Sequence, residues 1–104
     1  MAAKIAHPER TVITFAGDGE YMMNGQELAT AVQYQAGVVI IVFNNQMFGT
    51  IRMHQERDYP GRVSGTPLRN PDFAAYARAF GGHGETAETP ADSAPALDLG
   101  LDAG

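Results

Sequence analysis

The sequence predicts an α/β fold in which helices flank a parallel sheet. Two apolar segments of high β propensity, 11–16 and 38–43, are separated by a segment with helical periodicity. The second segment has no polar residue, a pattern typical of parallel strands that helices bury on both faces. This alternation of strand and helix favours parallel pairing, with both strand ends at the same edge of the sheet.

The first elements are bounded by proline and glycine. Residues 1–6 resemble the last turns of a helix, which Pro8 would stop. The first strand, over 11–16, is rich in β-branched residues and ends at Gly17. Because so short a helix is marginal alone, we expect its beginning to be missing and the chain to be part of a longer protein.

The segment between the strands predicts a helix over about 25–35. Asn24 is placed to cap it, and Gly37 is placed to end it. The helical stripe has spacing i, i+3, i+4, i+7 and consists of Leu28, Ala31, Val32 and Gln35. The second strand, 38–43, follows this helix directly.

The second half of the chain is predicted to be less regular. Asn70 precedes Pro71, a pair typical of an N-cap followed by proline at the first helical position. The predicted segments are a loop over 46–49, a helix over 50–57, irregular chain over 58–70, a helix over 71–80, a short strand over 83–87 and a weak helix over 92–103.

Oxygen-bearing side chains follow both strands. Asp18 lies in a predicted Gly-Asp-Gly turn after the first strand, and Asn44 and Asn45 follow the second. Ligands of open α/β sheets bind outside the carboxyl edge, where these side chains would meet. Carboxylate, amide and backbone carbonyl oxygens suit Mg²⁺ or Ca²⁺, and Mg²⁺ often takes its remaining ligands from phosphates. The sequence therefore predicts a cation site that holds a phosphate group.

Glycines next to these side chains would allow a ligand to approach the backbone. Gly17 and Gly19 flank Asp18, and Gly49 lies in the second loop. Backbone amides around Gly19 and Glu20 could face phosphate oxygens. A Gly-Asp-Gly turn or an Asn-Asn pair alone is also common in ordinary loops, so the prediction depends on their combination.

The composition argues against several classes of binding partner. The net charge is −5 and the pI about 4.9, which disfavours nucleic acids and anionic membranes. The longest apolar run, 38–43, is too short to span a bilayer, and no signal-peptide pattern opens the chain. The sequence contains no cysteine, which excludes disulfides and fits a cytoplasmic protein.

The residues around both strands resemble a known cofactor-binding motif. The stretch GDGEYMMNGQELATAVQYQAGVVIIVFNN, residues 17–45, is similar to the thiamine-diphosphate motif of thiamine-dependent enzymes. The segments MNGQELATAVQY and VVIIVFNNQMFGTIR resemble the acetolactate synthase and benzoylformate decarboxylase group. The likeness runs from Met1 to about Glu88. It implies the C-terminal, diphosphate-binding domain of such an enzyme, with residues 1–104 forming part of it and 17–49 its core.

The resemblance implies a role for individual residues. Asp18, Asn45 and the backbone carbonyl of Met47 would bind Mg²⁺. Gly19 and Glu20 would contact the diphosphate through their amides, and the remaining cofactor-binding positions would be Gly17 and Gly49. Asn44 would mainly hold the loop. The family reaction is decarboxylation of a 2-oxo acid, followed by protonation or by carbon–carbon bond formation with a second carbonyl compound.

The resemblance also implies what other parts of such an enzyme supply. The glutamate that activates the aminopyrimidine ring belongs to a separate pyrimidine-binding domain, usually across a dimer interface. That domain and a central domain are absent from these 104 residues, so we expect no turnover by this chain alone and a homodimer or homotetramer for its parent. We also expect Asp18→Ala to abolish Mg²⁺-dependent cofactor binding there and to leave folding largely intact.

Two alternatives stay open at this stage. The chain could be a catalytically inactive, truncated module that binds Mg²⁺ and phosphate. A phospho-acceptor domain that uses Asp18 would need a lysine late in the chain, and the only lysine is Lys4. The phospho-acceptor interpretation is therefore the weaker of the two.

Overall fold

A computed structural model describes residues 1–103, which form six α-helices, one 3₁₀ turn and two strands. No helix within these residues is both long and apolar enough to cross a membrane. The elements are α1 (Ala2–Ala6), β1 (Ile13–Gly17), α2 (Asp18–Asn24), a 3₁₀ turn (Gly25–Glu27), α3 (Leu28–Gln33), β2 (Val39–Phe43), α4 (Gly49–Asp58), α5 (Phe73–Ala79) and α6 (Pro90–Ala103).

The two strands form a parallel sheet, as the sequence predicts. Their register pairs Ile13 with Val39 at one end and Gly17 with Phe43 at the other. Both strands therefore reach the same edge together, and the segments that follow them start side by side. The strand β1 begins two residues later than predicted and includes Gly17, which has the extended backbone angles φ −73° and ψ 158°.

The predicted turn at 17–19 is wrong, because α2 begins at Asp18 itself. The carboxylate of Glu20 accepts a hydrogen bond from the Gly17 backbone N–H at 3.3 Å, which is one half of a capping box. Acidic residues in a first helical turn also interact favourably with the positive end of the helix dipole. Asn24 is consequently the last residue of α2 and not the side-chain cap of the next helix. Gln35, with φ 53°, follows the end of α3 in place of Gly37.

An aromatic cluster packs α2 against α5. The ring of Tyr21 lies edge-to-face with Phe73 at 5.5 Å and with Tyr76 at 6.2 Å between centroids. Tyr76 in turn contacts Phe80 at 5.0 Å. Tyr21 is 9% exposed, and the other buried apolar residues of the described chain are alanines. These ring contacts therefore join α2 to α5.

The second strand is less buried than its apolar sequence predicts. Val39 to Val42 are half-buried, whereas Phe43 is 61% exposed. Its stacked neighbour on β1, Phe15, is 65% exposed. The two-stranded sheet thus presents more apolar surface than the helices within residues 1–103 cover, which explains why burial on both faces is not observed.

The helix α5 begins later than predicted and uses a different cap. Asp72 is its N-cap and accepts a hydrogen bond from the Ala75 N–H at 3.1 Å. Asn70 therefore does not cap this helix. The predicted helix 50–57 is confirmed as α4, whereas 83–87 is not a strand.

The last helix, α6, starts with one half of a capping box, which the sequence interpretation missed. Asp92 accepts hydrogen bonds from the Thr89 hydroxyl at 2.8 Å and from the Thr89 backbone N–H at 3.1 Å. Proline at the next position, Pro90, is favoured at the start of a helix. The signature Thr-Pro-Ala-Asp at 89–92 could have identified this start.

This capping contact predicts a specific acid sensitivity. The hydrogen bonds from the hydroxyl and then from the N–H of Thr89 lower the pKa of Asp92 below its ordinary value. The cap's contribution to stability is therefore present above about pH 4, the ordinary aspartate range, and is lost as pH falls through the lower folded-state pKa. We expect the Thr89 amide NMR shift to titrate with a midpoint below that range, and this titration to vanish in Asp92→Asn. A midpoint at the ordinary value would contradict the cap.

Candidate functional site

Asp18 is the buried centre of the candidate site. It is 2% exposed and is the first residue of α2. Its Oδ1 accepts a hydrogen bond from the Gly19 N–H at 2.9 Å, and its Oδ2 accepts from the Gln46 N–H at 2.7 Å. The second of these bonds joins the start of α2, directly after β1, to the loop after β2. The predicted convergence of the two strand ends is thus observed.

The charge of Asp18 has no cationic partner within residues 1–103. All ion pairs of this part of the chain involve other carboxylates. A buried carboxylate is stable only when hydrogen bonds or a cation offset its lost hydration. Oδ2 accepts two hydrogen bonds, the second from Asn70, whereas Oδ1 accepts one. Oδ1 therefore retains a lone pair that a cation could occupy.

The second loop places two more oxygens near this edge of the sheet. The Asn45 Oδ1 accepts a hydrogen bond from the Met47 N–H at 3.3 Å. Met47 pairs with Pro67 in an isolated antiparallel bridge. No N–H group of residues 1–103 donates to the Met47 carbonyl. Asn45 and Met47 thus offer an amide oxygen and an unpaired carbonyl, which are ligands that suit Mg²⁺.

The described residues contain no group of three His, Cys, Asp or Glu side chains that could hold a metal ion. A cation here would depend on one carboxylate supplemented by amide and backbone oxygens. This is the donor set that the sequence predicts, and it leaves positions for phosphate oxygens. The residues present therefore fit Mg²⁺ bound together with a diphosphate.

The two glycines beside Asp18 have different surroundings. A Cβ added to Gly17 would meet no atom of residues 1–103 within 4 Å, apart from its own chain neighbours, so open space lies in front of this residue. A Cβ added to Gly19 would collide with the ring of Phe48, which covers that position. Gly19 is buried for this reason. Its lack of a side chain is explained by Phe48, whereas only Gly17 faces space that a ligand could fill.

Two further predicted residues have clear structural surroundings. The Glu20 side chain bonds back to the Gly17 N–H, so its carboxylate is held by the start of its own helix. Gly49 is the first residue of α4, and a Cβ there would lie 3.1 Å from the Asn45 Nδ2. Gly49 therefore leaves room for the Asn45 side chain.

Asn70 is the site residue that the sequence interpretation missed. Its Nδ2 donates to the Asp18 Oδ2 at 2.7 Å and to the Asn44 Oδ1 at 2.9 Å. Asn44 is thereby held in its loop, in agreement with the role expected for it. No local signal connects Asn70 with Asp18, which lies 52 positions earlier.

Polar side chains of α4 form ion pairs and hydrogen bonds with other surface residues. Arg52 pairs with Glu56 at 3.3 Å, and Arg57 pairs with Asp58 at 3.0 Å. The Gln55 side chain bonds to both the N–H and the carbonyl of Ser64. These contacts indicate that α4 has a solvent-exposed face on which charged side chains of the helix pair with one another.

Comparison with known families gives a match over the whole chain. Residues 1–104 match the family model described as thiamine pyrophosphate enzyme, C-terminal TPP binding domain. The acetolactate synthase large subunit of Haemophilus influenzae is 45% identical over 91 residues, which cover 86% of this chain and 16% of that protein. The sulfoacetaldehyde acetyltransferase of Castellaniella defragrans is 34% identical over 103 residues, which cover 99% of this chain and 17% of that protein.

A solved structure agrees with this match. The thiamine diphosphate-dependent 4-hydroxybenzoylformate decarboxylase of Rhodococcus jostii RHA1 superposes with a TM-score of 0.88 at 33% identity. The alignment covers 97% of this chain and 19% of that one. The chain therefore spans less than a fifth of the length of these relatives.

Proposed function

The chain belongs to the thiamine pyrophosphate enzyme family as its C-terminal TPP-binding domain, and from this premise we propose that it binds thiamine diphosphate (thiamine pyrophosphate) together with Mg²⁺. The observation that carries the proposal is the bond from the Gln46 N–H to the Asp18 Oδ2 at 2.7 Å. This bond brings the start of α2 and the loop after β2 together around a buried carboxylate that has no cationic partner in residues 1–103.

In this proposal the chain supplies three oxygens to Mg²⁺. These are the Asp18 Oδ1, the Asn45 Oδ1 and the Met47 carbonyl. The diphosphate supplies further oxygens and lies over the open space at Gly17. The Glu20 amide in the first turn of α2 contributes positive potential toward it, whereas the Gly19 N–H already donates to Asp18. Gly49 keeps the Asn45 side chain in place.

We further propose that the full protein acts on 2-oxo acids by decarboxylation or by joining two carbonyl compounds. Thiamine diphosphate supplies the electron sink for that chemistry, and the residues described here bind and orient it. The names of the relatives support the reaction class but differ in substrate, as acetolactate synthase, sulfoacetaldehyde acetyltransferase and 4-hydroxybenzoylformate decarboxylase show. Completion of the site by a pyrimidine-binding domain of a second subunit, in a homodimer or homotetramer, belongs to the same proposal.

A calorimetric titration tests the central claim. Thiamine diphosphate is added to the full-length protein that carries these residues, first with Mg²⁺ and then after chelation. We expect saturable binding with Mg²⁺ and at least a tenfold weaker affinity without it, because the carboxylate and the diphosphate are both anionic. Equal affinity in both conditions would remove Mg²⁺ from the proposal, and no binding in either would refute it.

The open space at Gly17 gives a second test. Gly17→Ala adds a methyl group where the backbone angles suit alanine and no protein atom is near. We expect the free energy of unfolding without ligands to change by no more than about 0.5 kcal/mol. The affinity for thiamine diphosphate at fixed Mg²⁺ is expected to fall about tenfold, corresponding to about 1.4 kcal/mol, because the methyl group occupies ligand space.

The matched control is Gly100→Ala. Gly100 lies in α6, and its added Cβ would come within 3.9 Å of Val39, at the start of β2 and away from the site edge. Its thiamine diphosphate affinity is expected to equal that of the wild type. An unchanged affinity in Gly17→Ala would show that the diphosphate does not lie over this residue.

A further inference from the structure

Asn70 reaches the site through a short antiparallel pairing. The Phe48 N–H donates to the Thr66 carbonyl at 2.9 Å, and the Leu68 N–H donates to the Gln46 carbonyl at 2.8 Å. These two bonds flank the bridge between Met47 and Pro67. The pairing fixes the segment before α5 against the loop after β2. Asn70, two residues beyond it, is half-buried and lies against Asp18.

The partners of Asn70 determine how its amide is oriented. The Asp18 Oδ2 and the Asn44 Oδ1 are each within 2.9 Å of the Asn70 Nδ2. A carboxylate oxygen is an acceptor only, so the group that faces it must be the NH₂ and not the carbonyl. Both hydrogens of that NH₂ are then engaged, one by the first residue of α2 and one by the loop after β2. Asn70 thereby bridges the residues that follow β1 and β2.

The two carboxylate oxygens of Asp18 accept different numbers of hydrogen bonds. Oδ2 accepts from both Gln46 and Asn70, which fills its two lone pairs. Oδ1 accepts only from the Gly19 N–H. A cation can therefore reach the carboxylate at Oδ1 without displacing a hydrogen bond. The rotation of the carboxylate about its Cβ–Cγ bond is fixed by the two donors on Oδ2.

We propose that Asn70 is a positioning residue that holds the Asp18 carboxylate with Oδ1 directed to the cation. This inference rests on the proposed function and adds a residue to it. Asn70 does not bind the metal, and it acts through the orientation of Asp18. Outer-shell partners of this kind contribute about ten- to a hundredfold to metal affinity.

Asp72 provides the matched control. It lies two residues after Asn70 and caps α5 through the Ala75 N–H, but it makes no hydrogen bond to Asp18 within residues 1–103. Asp72→Ala removes an N-cap, which costs about 0.5–2 kcal/mol in proteins generally. It therefore weakens the same segment of the chain without changing the donors on the Asp18 carboxylate.

The experiment measures Mn²⁺ binding by EPR, at fixed thiamine diphosphate, in the full-length protein and three variants. Asn70→Ala is expected to raise the Mn²⁺ Kd about ten- to a hundredfold. Asn70→Asp keeps the shape but turns an oxygen toward Asp18 and Asn44, so its Kd is expected to rise at least as much. Asp72→Ala is expected to lower the Tm and to keep the Kd within about twofold of the wild type. Circular dichroism at the measuring temperature restricts the comparison to folded protein.

The outcomes separate this inference from the function on which it rests. A wild type that binds Mn²⁺ together with an Asn70→Ala variant of equal Kd would overturn the role of Asn70 and leave the proposed function standing. An equal loss of affinity in Asp72→Ala and Asn70→Ala would also overturn it, since the effect would then come from the stability of α5. A wild type that binds no Mn²⁺ would refute the proposed function itself.

Discussion

Asp18→Ala is expected to lower the free energy of unfolding by about 3 kcal/mol or more, even without cofactor. The substitution removes the acceptor of three hydrogen bonds, from Gly19, Gln46 and Asn70, at a residue that is 2% exposed. A buried donor left without a partner costs about 1–3 kcal/mol, and here the bond from Gly19 is buried while those from Gln46 and Asn70 are partly buried. The sequence alone predicts largely intact folding for this variant, whereas these three hydrogen bonds predict a loss of stability.

The same variant is expected to lose Mg²⁺-dependent binding of thiamine diphosphate. To separate this loss from unfolding, we compare it with Asp18→Asn, which is isosteric and retains one acceptor oxygen for the bonds at Oδ2. Asp18→Asn is expected to cost about 1–2 kcal/mol without ligands, because its NH₂ then opposes the Gly19 N–H.

The measurement is thermal unfolding of the full-length protein with and without Mg²⁺ and thiamine diphosphate. The wild type is expected to gain stability from the ligands by mass action. Both variants are expected to lose that gain, although their unfolding temperatures without ligands differ. A ligand-dependent gain that survives in Asp18→Asn would show that the Asp18 charge does not bind the cation.

The two strand ends could be predicted to meet at one edge of the sheet, because the hydrophobic pattern of the sequence identifies both strands. An unbroken apolar run at 38–43 and a β-branched run before Gly17 predict two parallel strands, and parallel strands end at one edge. The side chains that follow them, Asp18 and Asn45, were therefore predicted at the correct edge. The positions of Asp18 and Asn45, directly after the two predicted strands, were sufficient for this prediction.

The partners of those side chains could not be predicted in the same way. Asn70 resembles an N-cap because an Asn-Pro pair usually has that function, but its amide instead bonds to Asp18 and Asn44. Phe48 covers Gly19, so the glycine is explained by a contact from a residue 29 positions later. Both contacts depend on how the loop after β2 folds back. A local pattern contains no information on this fold-back.

The start of α2 also could not be predicted, because its sequence signals are weak. The Gly-Asp-Gly sequence is typical of a turn, and the capping contact of Glu20 with Gly17 was not recognised. As a result α2 was not predicted, and the helix predicted over 25–35 corresponds to the 3₁₀ turn and α3. This difference matters for the site, because it puts Asp18 at a helix start, where the Gly19 N–H donates to its carboxylate.

Tyr21→Ala is expected to lower the free energy of unfolding by about 3 kcal/mol, the size found when large buried rings are truncated. The ring is 9% exposed and lies edge-to-face with Phe73 and Tyr76 of α5. Its removal leaves a cavity between α2 and α5 that alanine cannot fill. Chemical denaturation monitored by far-UV circular dichroism measures the loss.

Tyr21→Phe is the matched control. Burial, with a smaller contribution from Tyr76, raises the pKa of the Tyr21 hydroxyl above its ordinary value, so the ring is neutral at pH 7. The hydroxyl makes no hydrogen bond within residues 1–103. Tyr21→Phe therefore retains the packing and is expected to stay within about 0.5 kcal/mol of the wild type. An equal loss in both variants would mean that the hydroxyl, not the ring, stabilises the contact.

This apolar contact also bears on the site, because α2 begins with Asp18 and α5 follows Asn70 by three residues. Tyr21 packs the two helices together and so supports the 2.7 Å bond between the Asn70 Nδ2 and the Asp18 Oδ2. We therefore expect Tyr21→Ala, measured where it is still folded, to weaken Mn²⁺ binding several-fold, and Tyr21→Phe to leave it unchanged. Undiminished Mn²⁺ affinity in folded Tyr21→Ala would show that the pairing of residues 66–68 with 46–48 is sufficient to place Asn70 against Asp18.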